Sequence, residues 1–143
     1  MGVETTRQGR PRLPGAVAAL GALLLGGTLT ACSVTDRACE ERMAEIALSI
    51  DGVVSAEFDC EDNPSGGWER SEVVLDAATE DEAALIVDEV LRAYAEAPDL
   101  DPEWSTPQEY QLEGSSEKVS ANDVGFDGSP TVEEAREFYG VEP

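Results

Sequence analysis

The side chains that most often carry enzyme chemistry are few in this 143-residue chain. It has three cysteines and no histidine, so it contains no Ser-His-Asp triad, no Cys-His pair and no imidazole zinc site. A phosphate-binding loop is also missing, because Gly66 and Gly67 are not followed by the Lys-Ser/Thr pair of such a loop. The chemistry still available therefore rests on carboxylates and on Cys32, Cys39 and Cys60.

The 31 acidic residues raise the question of a cation site or a catalytic carboxylate pair. Two stretches, 59–63 and 99–103, place carboxylate or amide side chains at the first, third and fifth positions of a calcium loop. Both lack the glycine at position six and the glutamate at position twelve. No pair of carboxylates stands out for glycosidase-like hydrolysis. We therefore predict no catalytic residue, no metal ligand and no cofactor, with weak binding of a divalent cation as an alternative.

Cys32 follows a segment with the parts of an export signal. Three arginines among the first twelve residues precede 14 mainly apolar positions, 16–29, fewer than the roughly 20 residues that a membrane-spanning helix needs. The segment ends in the run Leu29-Thr30-Ala31-Cys32. This run resembles the lipobox of bacterial prolipoproteins. The Ala- and Gly-rich composition with a single lysine resembles that of uncharacterised actinobacterial proteins.

The resemblance implies that the Cys32 thiol receives a diacylglycerol, that the chain is cut before it, and that the new amino terminus is acylated, for example with palmitate. Two or more acyl chains anchor a protein stably, since each buried methylene contributes about 0.8 kcal/mol. The expected protein is a lipoprotein attached to the lipid bilayer, on the extracytoplasmic face of the cell membrane. The alternatives are an ordinary signal peptide with an incidental cysteine and an uncleaved anchor.

This interpretation divides the chain into a signal peptide at 1–31, a lipidated tether at 32–38 and an acidic domain at 39–143. The signal peptide carries three arginines and one glutamate, so the formal charge is −24 after its removal, compared with −22 for the whole chain. Such a charge repels nucleic acids and anionic lipids and attracts basic surfaces. We expect a basic envelope protein as partner and no nucleic acid. Solubility alone is the other explanation of the charge, and the oligomeric state is left open.

If Cys32 is lipidated, Cys39 and Cys60 are the two remaining thiols. An even pair of thiols in an oxidising compartment is expected to form a disulfide. Cys39 shares a predicted helical face with Met43, and Cys60 shares a predicted strand face with Phe58. If this helix packs on this strand, both sulfurs point into one interface, which favours the same pairing.

Hydrophobic periodicity predicts three helices and four short strands. The first helix begins at Thr35 or Asp36 and ends at 51–52. It is followed by strands at 53–60 and 68–77 and, later, at 109–112 and 118–122. The first strand is expected to direct one set of side chains to the core: Val54, Ala56, Phe58 and Cys60.

Two capping boxes mark the remaining helices, one beginning at Thr79 and one at Thr131. The helix after Thr79 carries the longest apolar stripe of the chain, formed by Ala83, Ile86, Val87, Val90, Leu91 and Tyr94. The short helix after Thr131 is predicted to bury Val132, Ala135 and Phe138.

These elements predict an α+β domain with helices packed on one face of a small antiparallel sheet. The run at 50–56, IDGVVSA, is similar to the helix-to-strand joint of ferredoxin-like domains. That resemblance covers about 39–96 and implies a loosely ferredoxin-like fold. The chain lacks the first strand of that fold, so a permuted version, with the strand at 118–122 in the gap, is also implied. The Cys-x-x-Cys motif of its metal-carrying members is absent, and that function does not transfer.

The expected function is that of a non-catalytic binding or interaction module, not of an enzyme. A weak divalent-cation-binding envelope protein and an enzyme of unrecognised type are the alternatives. Trp68 and Trp104 offer a surface on which a ligand could stack, although core or loop-anchoring roles are favoured. An exposed apolar patch beside the acidic surface would favour the interaction module.

Overall fold

The computed structural model describes residues 34–61 and 68–142, which belong to one compact unit, Ala31–Pro143. The predicted signal peptide, Cys32 and the side chains of 34–36, 68 and 69 lie outside the described residues. The helices are α1 (Val34–Leu48), α2 (Glu80–Glu96) and α3 (Val132–Tyr139). The strands are β1 (Val53–Glu61), β2 (Trp68–Leu75), β3 (Glu109–Leu112) and β4 (Lys118–Ser120), and a 3₁₀ helix, Ala121–Val124, follows β4. None of the described helices has the length and apolar character needed to cross a membrane.

The described strands form one sheet in the order β1-β2-β3-β4. The pairs β1–β2 and β3–β4 are antiparallel, but β2 and β3 run parallel, with Val73 opposite Tyr110 and Leu75 opposite Leu112. The parallel pair arises because α2 carries the chain back along the helix-covered face before β3 begins. The predicted α+β class with helices on one face is confirmed, and the sheet is mixed rather than wholly antiparallel.

The likeness to ferredoxin-like domains is limited to the order α1-β1-β2-α2. A strand that replaced the missing first strand of that fold would pair with β2, and in this structure β3 takes that place. β4 pairs with β3, with Tyr110 opposite Val119, and forms an edge of the sheet. The strand at 118–120 therefore does not fill the gap, and the strand order differs from that of a permuted ferredoxin-like sheet.

The core lies between the sheet and the helices. The stripe of α2 is buried as predicted, apart from Ile86, which is half-buried. The Tyr94 hydroxyl donates a 3.1 Å hydrogen bond to the carbonyl oxygen of Met43, so its burial is compensated and α2 is tied to α1. The largest fully buried side chains are Tyr94, Tyr110, Met43, Leu75, Leu91, Val73, Val87, Val90, Val119 and Val132.

β1 contains a bulge between Val53 and Ser55. The extra residue shifts the alternation of side chains by one position. As a result Val54 is 46% exposed, and the prediction that it faces the core is wrong. Beyond the bulge, the other residues predicted on the inner face are partly or fully buried: Ala56, Phe58 and Cys60.

The predicted pairing of Cys39 with Cys60 is present in the structure, where the two Sγ atoms lie 2.05 Å apart. Both residues are buried, and the bond joins α1 to the end of β1. α1 packs on β1, which is the arrangement that the helical and strand patterns of the sequence require for this pairing.

Local hydrogen bonds begin α2 and α3 at the predicted threonines, but the predicted capping box is complete only at Thr131. At α2 the Glu82 carboxylate accepts a 2.9 Å bond from the backbone N–H of Ala78 instead of Thr79. The Oγ1 atoms of Thr79 and Thr131 each accept a 3.2 Å hydrogen bond, from the backbone N–H of Glu82 and of Glu134 respectively. The Glu134 carboxylate in turn accepts from the backbone N–H of Thr131 at 2.8 Å, completing a capping box. These caps satisfy N–H groups that the first turn of a helix leaves without intrahelical partners.

Arg136 of α3 closes the other end of α2. Its side chain is buried, and the guanidinium donates hydrogen bonds to the carbonyl oxygens of Ala95 (3.1 Å), Ala97 (2.7 Å) and Leu100 (3.2 Å). A cation at the carbonyl end of a helix satisfies open acceptors and interacts favourably with the helix dipole. Arg136 therefore attaches α3 to α2.

Candidate interaction surface

The two calcium-like stretches are described to different extents. In the first, Asp59 and Glu61 are exposed residues of β1, and the fifth position, 63, lies outside the described residues. In the second, Asp99 accepts hydrogen bonds from Nε (2.7 Å) and Nη2 (3.1 Å) of Arg42, which lower the pKa of the Asp99 carboxyl below its ordinary value. Asp101 accepts a 2.9 Å bond from the backbone N–H of Glu103. Among the residues that the structure describes, no three His, Cys, Asp or Glu side chains are gathered as a metal ion would require.

A cleft of about 490 Å³ lies between α1 and the loop after α2. Its rim carries Arg42 and Asp99, which bond to each other, and its floor includes Leu100 and Trp104. Trp104 is only 8% exposed and offers little area on which a ligand could stack. Its position fits a loop-anchoring role, while the Trp68 side chain lies outside the described residues.

Three aromatic side chains gather where α3 meets the turn after the 3₁₀ helix. The ring centroids of Phe126 and Phe138 are 4.2 Å apart, those of Phe138 and Tyr139 are 5.1 Å apart, and those of Phe126 and Tyr139 are 6.0 Å apart. Aromatic rings attract each other at about these separations. The Phe138 side chain is nevertheless 51% exposed. We call Phe126, Phe138 and Tyr139 the aromatic patch.

The exposure of Phe138 corrects its predicted place on the buried side of α3. Val132 and Ala135 are buried as expected, but the third buried position of this helix belongs to Arg136. Because Arg136 reaches the carbonyl oxygens at the end of α2, the buried face of α3 is centred on 132, 135 and 136. Phe138 is left at the border of that face and takes part in the surface instead of the core.

Gly125 brings Phe126 against α3. It ends the 3₁₀ helix with a φ of 106°, a left-handed conformation that glycine adopts at little cost. The backbone N–H of Phe126 then donates a 3.1 Å bond to the carbonyl oxygen of Ala121. A Cβ atom at Gly125 would lie 3.4 Å from Cζ of Phe138, an ordinary van der Waals contact, so glycine is favoured here by its positive φ.

Tyr139 is held on α2 by a cation and a carboxylate. Its hydroxyl donates a 2.8 Å hydrogen bond to Oδ1 of Asp88, and the guanidinium carbon of Arg92 lies 4.4 Å from its ring centroid. Arg92 also pairs with Asp88 at 3.5 Å. Burial, and then the bond to Asp88, raise the pKa of Tyr139 above its ordinary value, so the hydroxyl remains a donor. One ring of the patch thus carries a guanidinium with a carboxylate beside it, the usual geometry of a cation–π contact.

Exposed carboxylates lie close to the aromatic patch along the chain. Glu134 precedes Phe138 by one turn of α3, and Asp127 follows Phe126 directly. Asp127 and Glu134 are both exposed. An apolar centre with a charged rim has the composition of a protein–protein contact surface.

The basic side chains beyond position 31 are engaged within the chain. Four of them form salt bridges with carboxylates, and Arg136 binds backbone carbonyls. Arg70, which also has an interaction within the chain, lies opposite Asp59 in the β1–β2 pair. The four that form salt bridges are Arg37, Arg42, Arg92 and Lys118. A large excess of carboxylates is left to face solvent or a partner.

No protein-family model, curated protein or solved structure matches this chain. Its class is therefore defined by its own features, a small disulfide-linked α+β domain that exposes an aromatic patch in an acidic surface. The sequence pattern identified the cysteine pair but missed the patch. One signal was available, since Phe138 and Tyr139 are consecutive and neighbouring residues of a helix point about 100° apart, so the two rings do not face one core together.

Proposed function

We propose that this protein is a lipoprotein, anchored through acylated Cys32 to the extracytoplasmic face of the cell membrane, whose acidic domain is a non-catalytic module that binds a basic envelope protein. The anchoring part rests on the run Leu29-Thr30-Ala31-Cys32 and on the basic and apolar residues before it. The non-catalytic part rests on the lack of histidine, of a catalytic triad or Cys-His motif, and of a phosphate-binding loop.

The observation that carries the binding function is the half-exposed Phe138 at the centre of the aromatic patch. Phe138 is the exposed ring of the patch, and Phe126 and Tyr139 are half-buried beside it. Exposed apolar area beside charged groups is typical of interaction sites. The formal charge of −24 beyond position 31 would attract a basic partner and accelerate its association. Solubility alone accounts for the charge but not for the exposure of Phe138.

The anchoring is tested by Cys32→Ser in the bacterium that makes the protein. The variant is expected to leave the membrane fraction or to accumulate unprocessed, because it has no thiol to acylate. Ser33→Ala, which changes the neighbouring residue and keeps the thiol, serves as the control. Retention of Cys32→Ser in washed membranes as firmly as the control, with its signal segment removed, would contradict lipid anchoring.

The binding function is tested by crosslinking in native membranes at low and high salt, with identification of the captured protein by mass spectrometry. A partner with a basic surface is expected, captured less at high salt, since the screening length falls from about 10 Å at 0.1 M to about 3 Å at 1 M. A partner without a basic surface, or one whose capture ignores salt, would contradict the proposal. Turnover of a substrate that a single carboxylate substitution abolishes would assign the protein to the enzymes instead.

A further inference from the structure

We infer that the aromatic patch is the surface that contacts the partner, and that the partner presents an arginine or lysine next to an apolar side chain. The inference rests on the proposed function and adds to it the location of the contact and the chemistry of the group that fills it.

Tyr139 provides the precedent within the chain. Its ring carries the guanidinium of Arg92 at 4.4 Å, and Asp88 accepts from the Tyr139 hydroxyl while pairing with Arg92. Phe138 repeats two of these three parts, an accessible ring and a carboxylate one helical turn away, that of Glu134, one oxygen of which also accepts from the backbone N–H of Thr131. The part still to be supplied is the cation.

That cation has to come from another molecule. Arg92 lies on Tyr139, and the remaining basic side chains beyond position 31 are placed elsewhere in the domain, either on carboxylates, on the carbonyls at the end of α2, or in β2. A partner cation over Phe138 would interact favourably with the ring and with the neighbouring carboxylates. The cation–π contact is stronger when water is excluded from it.

Charge complementarity decides between the candidate occupants. A second copy of this chain would bring another −24 charges to the same surface, and like charges across an interface are strongly unfavourable. Nucleic acids and anionic lipids are repelled for the same reason. A purely apolar partner would leave the surrounding carboxylates without counterparts. A basic segment that also carries an apolar side chain fits both the rim and the centre.

The test uses the full-length lipidated protein in nanodiscs of neutral phosphatidylcholine, with empty nanodiscs as background. The probe is a labelled helical peptide with arginines on one face and leucines on the other, compared with a peptide of equal charge in which serine replaces leucine. The arginine–leucine peptide is expected to bind about tenfold more tightly. Phe138→Ser is expected to weaken its binding about tenfold, as for a central interface residue. Leu48→Ser, which removes an equally exposed apolar side chain outside the patch, is expected to change binding less than about twofold.

A charge variant keeps the test valid if Phe138→Ser folds poorly. Glu89→Gln with Asp127→Asn removes two exposed carboxylates, one directly after Phe126 and one directly after Asp88, which binds Tyr139. Glu57→Gln with Glu72→Gln removes two from facing positions in the β1–β2 pair. The net charge changes equally in both variants. Binding of the arginine–leucine peptide is expected to weaken several-fold more in the first variant than in the second.

The outcomes separate the two proposals. If both peptides bind equally, if salt weakens both, and if Phe138→Ser has no effect, the patch is not the contact surface while an acidic binding module remains. If neither peptide binds in any form, both proposals are overturned. If sedimentation shows a dimer that Phe138→Ser dissociates, the occupant is a second copy of the chain and the inference of a basic partner is wrong.

Discussion

Replacing Arg136 by methionine is expected to destabilise this domain more than any other single arginine substitution beyond position 31. Arg136 is 7% exposed, and its guanidinium donates to three carbonyl oxygens at 2.7–3.2 Å, those of Ala95, Ala97 and Leu100. Methionine matches the aliphatic stem of the arginine side chain but lacks the guanidinium and its donors. The substitution therefore removes all three hydrogen bonds and leaves most of the packing of the side chain.

The magnitude follows from the number of acceptors that lose their donor. A buried acceptor left without a partner costs about 1–3 kcal/mol. The lower value applies to each carbonyl here, because they lie at a helix end that water can reach after the guanidinium is gone, and Ala97 keeps a bond from the backbone N–H of Leu100. The three together give about 3 kcal/mol, a large part of the roughly 5–15 kcal/mol that stabilises a domain.

Urea unfolding of the chain from Ser33 to Pro143, followed by circular dichroism, measures this loss. With a slope of about 1.5 kcal/mol per molar urea, the midpoint should fall by about 2 M. Arg92→Met is the matched control, because Arg92 is 49% exposed and its contacts with Asp88 and Tyr139 are at the surface. Its loss should be below about 1 kcal/mol. Equal falls of the two midpoints would refute the structural role given to Arg136.

Other expectations concern the disulfide, the core and one ion pair. Replacing Cys39 and Cys60 by alanine should lower the free energy of unfolding by about 3 kcal/mol for a 21-residue separation, and two reactive thiols in the denatured oxidised chain without Cys32 would contradict the pairing. Val90→Asp places a carboxylate at a fully buried position and should abolish cooperative unfolding, since an unpaired charge there is strongly unfavourable; an unchanged melting temperature would contradict the fold. Because hydrogen bonds from Arg42 lower the pKa of Asp99 in the folded protein, this pair stabilises the domain above the unfolded-state pKa. That contribution is lost as pH falls through the lower folded pKa. Arg42→Ala should raise the pKa of Asp99 in an NMR titration, and an unchanged value would mean that the pair does not form in solution.

Most elements of this fold could be predicted from local patterns. The period of apolar residues predicted α2, and Thr79 and Thr131 marked the starts of two helices, because caps and periodicity depend on residues within a few positions of one another. The burial of Cys39 and Cys60 also follows from local patterns, one helical and one of a strand. The bulge at Val54 did not, because it depends on how β1 pairs with β2 and not on β1 alone.

The sequence by itself gives the acidic charge, the predictions for the three cysteines and the order of helices and strands. These depend on composition and on neighbours along the chain. Only the tertiary structure decided that β3 runs parallel beside β2, that Arg136 is buried against the end of α2, and that Phe138 is exposed beside Phe126. The physical reason is that the burial of a side chain depends on which groups of another element lie opposite its helix face. Arg136 has three carbonyl acceptors 36 to 41 residues away, and no local pattern in α3 contains that information.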